Sequence, residues 1–356
     1  MKKLILLSAT LLLMLFANAQ IVNIPDANFK AALLADTLIN TNQDGEIQVS
    51  EALATDTIDV YSMNIADLTG IEAFTALIYL NCGSNQLTSL DITNNIALIY
   101  LTCYQNQLTS LDISNNITLE SLSCFSNQIN ILDVSNNSSL ISLTCLSNPL
   151  GTLDVSNNTA LEFLYCQINQ LTSLDVSNNT SLTNLSCWEN QLSTLDVSNN
   201  TALIGLWCSG NQLSSLNVKN GNNTVLTDFY TVNSPILFCI EVDDPVWSTT
   251  NWTDIDPQSY FSNDCNYVSV PNQLQTQELK LAPNPFNEKL SVLLPDNTNA
   301  DNIEIALYNV LGKQIKVSTE KANNEIIING ANLHSGIYFV EITTNKHTIT
   351  KRIIKQ

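Results

Sequence analysis

Between Lys30 and Lys219 the sequence has no lysine, arginine or histidine, yet it carries 17 aspartates and glutamates there. A surface that holds nucleic acid must neutralise phosphates with basic side chains, so this stretch excludes nucleic acid as a partner. An anionic membrane surface would repel it for the same reason. The whole chain has one arginine, Arg352, and two histidines, His334 and His347. General acid–base catalysis needs two groups held in unlike environments. In this stretch the acids recur in near-identical surroundings, and no nucleophile–base pair, phosphate loop or tight Cys/His cluster can be read. The expectation is a protein that is not an enzyme.

Long apolar runs are missing after residue 16, so the mature chain is expected to have no membrane span. The one such run, Leu4 to Phe16, follows Met1-Lys2-Lys3 and precedes Ala17-Asn18-Ala19. A positive start, a short apolar centre and a small-residue end make residues 1–19 an expected export signal.

What remains is acidic and uncharged-polar. Against 13 basic residues stand 33 acidic ones, a formal charge of −20. Charged residues are 13% of the chain, about half the usual share, and 44% are hydrophobic. That balance argues for a folded, stacked architecture and against a disordered acidic tail. The charge is not evenly spread, because from Glu278 onward nine basic residues meet eight acidic ones. The shift marks a separate domain over residues 278–356, with 266–277 as a linker.

Seven of the nine cysteines fall at 82, 103, 124, 145, 166, 187 and 208, always 21 residues apart. A fixed period of this length means a solenoid. One turn reads Leu98, Leu101, Cys103, Asn106, Leu108, Leu111, Asp112, Ile113, Asn116. Side chains alternate across a strand, so Leu and Cys of L-x-C point inward, and each turn is expected to supply two short parallel strands. Neighbouring inward cysteines then stand near the strand spacing of ~4.8 Å, too far apart for disulfides, and read as small buried hydrophobes. Asn85, Asn106, Asn127, Asn148, Asn169, Asn190 and Asn211 form one column. Asn95, Asn116, Asn137, Asn158, Asn179 and Asn200 form another. Inward amides at the bends can bond backbone groups that no strand satisfies.

This pattern is similar to the leucine-rich repeat family, in its nested 21-residue bacterial form, over roughly residues 58–221. The resemblance implies a mainly β solenoid of parallel strands, with an N-terminal cap at 20–57 and a C-terminal cap at 222–265. Asp26 is a fair helix N-cap, with Phe29, Ala32 and Leu33 on one face of a short helix over 24–36. Asn40-x-Asn42-x-Asp44-Gly45-Glu46-Ile47, then Glu51, is similar to the EF-hand calcium loop, with Asn in place of Asp at its first and third positions. It implies a structural Ca²⁺ held by Asn40, Asn42, Asp44, Glu46 and Glu51. The alternative is an Asn/Gly turn that closes the rod without metal. Cys239 and Cys265 stand outside the period, near Trp247, Trp252 and Tyr260, in a stretch resembling the C-terminal cap of such repeats. A disulfide between them suits an oxidising compartment.

The two outward faces differ. Asp91, Asp112, Asp133, Asp154, Asp175 and Asp196 form a uniform column beside Thr93, Ser114, Ser135, Ser156, Ser177 and Ser198. It reads as a hydrogen-bonded polar ladder or as repeated cation binding. The other face is variable and carries Tyr79, Tyr100, Tyr104, Phe125, Leu146, Phe163, Tyr165, Trp188 and Trp207. Aromatics on a rigid sheet are a typical recognition surface. Without basic residues they suit a protein or glycan partner.

The last domain reads as a small β-sandwich. Pro283-Asn284-Pro285-Phe286, then Gly312, then Gly336 and Tyr338, then Lys351-Arg352 resemble the C-terminal sorting domain of the type IX secretion system. The resemblance implies contact with that machinery and a secreted or outer-surface location. The leading expectation is therefore an exported protein that binds a protein or glycan by adhesion or ligand capture. The alternative is a structural surface or matrix component assembled through divalent cations.

Overall fold

The computed structural model describes residues 20–265, 280–294, 303–310, 312–322, 325–343 and 348–356. The export signal at 1–19 and the linker at 266–277 lie outside the described residues. The chain divides into two units, Met1–Cys265 and Asn266–Gln356.

In the first unit the 21-residue period becomes a stack of turns. Helix α1 (Ala27–Ala35) opens it, with the Asp26 carboxylate accepting the N–H groups of Asn28 and Phe29. Phe29 and Leu33 are buried and close the N-terminal end of the core. A short helix α2 (Val49–Ala52) follows. The first strands are β1 (Thr57–Asp59), β2 (Tyr79–Asn81), β3 (Tyr100–Thr102) and β4 (Ser121–Ser123). Next come β5 (Ser142–Thr144), β6 (Phe163–Tyr165), β7 (Asn184–Ser186) and β8 (Thr194–Asp196). The stack ends with β9 (Gly205–Trp207), β10 (Ser215–Asn217), β11 (Asp228–Tyr230), β12 (Cys239–Glu241), α3 (Pro245–Asn251) and β13 (Tyr260–Ser262).

Strands β1 to β7, β9 and β11 form one nine-stranded parallel sheet. Its register is fixed by the inward leucines: Leu80 pairs with Leu101, Leu101 with Leu122, and so on to Leu206 with Phe229. A slip of one residue would turn that whole column to solvent. The second strand of each turn differs from expectation. A ladder forms there only from β8 onward, in the order β13-β12-β10-β8. In earlier turns Leu90, Ile92, Leu111 and Ile113 are buried as expected. Inter-turn bonding beside them is carried by the asparagine amides at the bends instead of by strand pairing.

Each turn buries six apolar side chains, such as Leu98, Leu101, Cys103, Leu108, Leu111 and Ile113. At ~1.5–3 kcal/mol for each fully buried side chain this is the main stabilising term, and it exists only against neighbouring turns. The stack does not stop where the period breaks at 221. Phe229, Trp252 and Phe261 join the same core, with Phe229 and Trp252 stacked at 4.4 Å and Trp247 edge-on to Trp252 at 5.6 Å. Cys239 and Cys265 form a disulfide with Cα atoms 5.7 Å apart. It ties the start of β12 to the residue that ends this unit.

The second unit has two antiparallel four-stranded sheets. One runs β14 (Lys280–Ala282), β15 (Lys289–Leu293), β19 (Glu325–Asn329), β18 (Ser318–Ala322). The other runs β17 (Gln314–Ile315), β16 (Glu304–Asn309), β20 (Gly336–Thr343), β21 (Thr348–Lys355). Leu290, Val292, Leu307, Ile326, Ile328, Val340, Ile342 and Ile353 fill the space between them. Among the described residues, no helix is long and apolar enough to cross a membrane.

Candidate binding face

The outward side of the nine-stranded sheet gathers every aromatic residue assigned to the recognition face. Tyr79, Tyr100, Phe163, Tyr165 and Trp207 lie on strands β2, β3, β6 and β9. Tyr104, Phe125 and Trp188 each follow the inward cysteine of their turn. Tyr100 is 44% exposed and the others are half-buried. The stripe is not continuous. Tyr61, Tyr104 and Phe125 make one cluster, with Tyr104 and Phe125 face to face at 4.4 Å and Tyr61 6.1 Å from Tyr104. Burial among these groups raises the pKa of the Tyr104 hydroxyl. Trp207 and Tyr230 make another pair at 6.5 Å, their planes 10° apart. Between them the β4 and β5 positions hold Ser121, Ser123, Ser142 and Thr144.

Tyr61 and Tyr230 are additions to the sequence reading. Tyr61 follows inward Val60 as Tyr104 follows Cys103, and Tyr230 pairs in register with Trp207. Both lie beside turns whose spacing departs from 21 residues, which hides them from the repeat alignment. Two glycines shape this face. A Cβ on Gly83 would meet the Tyr104 ring at 3.1 Å, and one on Gly205 would meet the Trp207 indole at 2.3 Å.

The opposite, uniform face is a polar ladder. Each aspartate from Asp91 to Asp196 accepts, on one oxygen, the N–H two residues ahead at 2.8–3.1 Å. Thr93 Oγ1 also donates to Asp91 at 2.7 Å. The neighbouring Thr or Ser, more than any other group, holds Asp91, Asp112, Asp133, Asp154 and Asp175 below the usual carboxylate range.

In the N-terminal cap the loop is closed by its own hydrogen bonds. Glu51 Oε1 accepts from the Thr41 N–H and hydroxyl and from the Asn42 N–H, while Oε2 accepts from the Gln48 N–H. Asn42 Nδ2 donates to Asp44 and to Gln48, and Gln48 Nε2 donates to Asp44 at 2.7 Å. Glu46 is directed elsewhere, to Lys30 of α1 at 2.6 Å. Gln48, which the sequence reading passed over, stands beside Asp44 in its place. Asn40 is 4% exposed, and its Oδ1 is buried with no hydrogen-bond partner. Among the described residues no three His, Cys, Asp or Glu side chains converge as a metal cluster. The side-chain oxygens of Asn42, Asp44, Gln48 and Glu51 accept hydrogen bonds within the loop, so a hard cation held here with Asn40 Oδ1 would have to replace those bonds.

In the second unit Asn284 and Phe286 meet β21 at one sheet edge, while Gly312 lies by β17 at the opposite edge. Asn284 Nδ2 donates to the Arg352 carbonyl at 3.2 Å, and its Oδ1 accepts the Ile354 N–H at 2.8 Å. Phe286 continues the pattern with backbone bonds to Ile354 and Gln356. The Asn284 amide thus stands in for a peptide group along β21, and Pro283 and Pro285 flank it. The Phe286 ring is buried against Gly330, where a Cβ would come within 2.5 Å. Gly312 sits at φ 74° in the turn between β16 and β17, a conformation that favours glycine. Tyr338, beside Gly336 on β20, is buried and donates its hydroxyl to the His334 carbonyl. Lys351 and Arg352 are exposed on β21.

Residues 280–356 match the family described as the secretion system C-terminal sorting domain. No curated protein matches the sequence. Among solved structures, an internalin C2 from Listeria monocytogenes is 22% identical, covers 64% of this chain and 98% of its own, and has a TM-score of 0.51. The functional domain of InlJ from the same organism, described as including a cysteine ladder, is 21% identical, with coverage of 95% and 98% and a TM-score of 0.38. A leucine-rich repeat protein of Leptospira interrogans is 18% identical, with coverage of 60% and 74% and a TM-score of 0.42. In fold the chain is a parallel-strand solenoid similar to an internalin, followed by a tail that matches a C-terminal sorting domain.

Proposed function

We propose that this is an exported protein, secreted or held at the outer cell surface, that captures a protein or glycan partner through the outer side of its nine-stranded sheet. The observation that carries this reading is the contrast between faces. Aromatic side chains are concentrated at outward positions of one face, while the other repeats the same Asp and Ser or Thr in turn after turn. A sorting-domain match at 280–356 supports export, by the type IX route that the tail motifs resemble. Binding and not catalysis fits a stretch without a cation between Lys30 and Lys219. The test is an array of proteins and glycans probed with the purified chain. Replacing Trp188 and Trp207 together by alanine is expected to abolish the strongest signal and leave the melting curve unchanged. Retained binding would show that the partner docks elsewhere.

The cap loop is read as a structural Ca²⁺ site, supported by the buried Asn40 Oδ1, which has no hydrogen-bond partner among the described residues. A ligand at 100 times its Kd adds about 2.7 kcal/mol to stability, so excess Ca²⁺ over chelator is expected to raise the melting temperature by several degrees. Asp44→Ala is expected to remove that rise, and superimposable melts with and without Ca²⁺ would sink the reading. Assembly into a matrix through the aspartate column has less support, because each carboxylate is already bonded within its own turn.

A further inference from the structure

At the C-terminal end of the sheet face an aromatic ring lies closer over a glycine than Tyr104 lies over Gly83. The Trp207 indole lies across its own strand and fills the space that a side chain at 205 would take. A Cβ there would stand 2.3 Å from Cη2 and 2.6 Å from Cζ3. The ring thus lies against Gly205, and the Trp207 side chain is half-buried. Tyr230, 40% exposed, lies 6.5 Å away with its plane 10° from that of the indole. Tyr104 and Phe125, stacked face to face at 4.4 Å, instead cover one another.

Polar groups border the platform from the turns on either side. Asn184 Nδ2 is 2.9 Å from the same Cβ position at 205. Asn184 Oδ1 accepts from Thr183 Oγ1, while Nδ2 has no hydrogen-bond acceptor among the described residues. Asp228 is the register partner of Gly205 in the next turn and is exposed. An amide donor and a carboxylate acceptor thus flank an aromatic surface, on a rod with no cation between Lys30 and Lys219.

A ligand that matches this needs a flat apolar face for the ring, hydroxyls at its rim for Asn184 and Asp228, and no negative charge. A pyranose has these features. Its C–H groups carry slight positive charge and suit the negative face of an aromatic ring. Phosphate-rich and uronate-rich polymers are repelled by the surrounding carboxylates. We propose that Trp207, Tyr230, Asn184 and Asp228 form a subsite for pyranose units of a neutral polysaccharide. The proposal rests on the reading of this face as the binding surface and names the ligand class at one end of it.

The test is affinity electrophoresis of the full chain through gels containing a β-1,3-glucan, a xyloglucan or a mannan, with alginate as the anionic control. The expected result is retardation by at least one neutral polymer and none by alginate. Trp207→Ala and Gly205→Ala should each weaken it tenfold or more, and Asp133→Asn, on the uniform opposite face, should leave it unchanged. Gly205→Ala is the sharper variant, because it keeps the indole and only forces it off the strand. Melting curves of both variants confirm folding. Indifference of the wild type to all three neutral polymers, or undiminished binding by both Gly205→Ala and Trp207→Ala, overturns the subsite. If in that case a protein on the array is still lost with Trp188 and Trp207, the sugar assignment fails while the face assignment stands.

Discussion

Replacing Asn148 by alanine is expected to lower the unfolding free energy by about 3–5 kcal/mol, a large part of the ~5–15 kcal/mol that holds a typical domain together. The reason lies in how many buried groups one amide serves. Asn148 is 5% exposed, and its Nδ2 donates to the carbonyls of Cys124 in the preceding turn and of Cys145 and Leu146 in its own. Its Oδ1 accepts the Ile129 N–H at 3.0 Å. Alanine would strand one buried donor and leave those carbonyls short, each at about 1–3 kcal/mol where water cannot reach. The amide also holds a bend, since Ser147 before it sits at φ 54°, a left-handed conformation that non-glycine residues avoid. Asn137, in the second column, makes a useful comparison. It donates to Ile113 and Asn116 carbonyls, but its own Oδ1 has no partner. Its removal takes away one unsatisfied acceptor along with the two bonds, so Asn137→Ala should cost less than Asn148→Ala. Urea midpoints for the two variants decide the matter. Equal costs below about 1 kcal/mol would mean that the ladders are a consequence of the fold and not a cause of it.

Those two columns were legible in the sequence because a period of 21 residues fixes which side chains share a direction. The same holds for the inward cysteines, the outward aspartates and the side on which Tyr100 or Trp207 appears. Direction is not contact, however. The repeat places Trp207 outward but does not say that its indole lies over Gly205, because that depends on a side-chain rotamer and on a missing Cβ in the same strand. It cannot divide the aromatics into a Tyr61–Tyr104–Phe125 cluster and a Trp207–Tyr230 pair, since two members stand where the period lapses. In the cap, spacing singled out Glu46 as a ligand, but Lys30 lies 16 residues earlier on α1 and draws its carboxylate away. Gln48, with an amide that reaches Asp44, carries no charge and left no signal. In the tail, Pro283-Asn284-Pro285-Phe286 was visible as a motif. Its physical role emerges only when Asn284 is seen bonded to Arg352 and Ile354, 68 and 70 residues away.

The cysteine column makes the fold sensitive to alkali, and this is the largest pH effect expected of it. Burial, the dominant cause, pushes the thiols of Cys82, Cys124, Cys166 and Cys208 from 9.0 up to about 12. It pushes Cys103, Cys145 and Cys187 well above 9.0, with the neighbouring thiols of the column adding to the rise. A folded-state pKa above the unfolded one means that the unfolded chain releases its protons first. The contribution is fully present below pH 9 and is lost as pH rises from there towards 12. Each thiol then costs about 1.4 kcal/mol per pH unit, so at pH 10 the four with values near 12 together remove roughly 5–6 kcal/mol. Urea unfolding at pH 7.5, 9 and 10 should show this fall. A thiol-reactive dye should count no reactive thiol among the seven in the folded chain below pH 9, and all seven in denaturant. The decisive comparison is Cys124→Ala, which isolates the contribution of one thiol. It loses a buried side chain and is weaker at neutral pH, but its stability should fall with pH less steeply, by about 1.4 kcal/mol per unit above pH 9. Parallel slopes for the variant and the wild type would mean that the column is wet enough to ionise in place, and that its cysteines are something other than a dry seam joining one turn to the next.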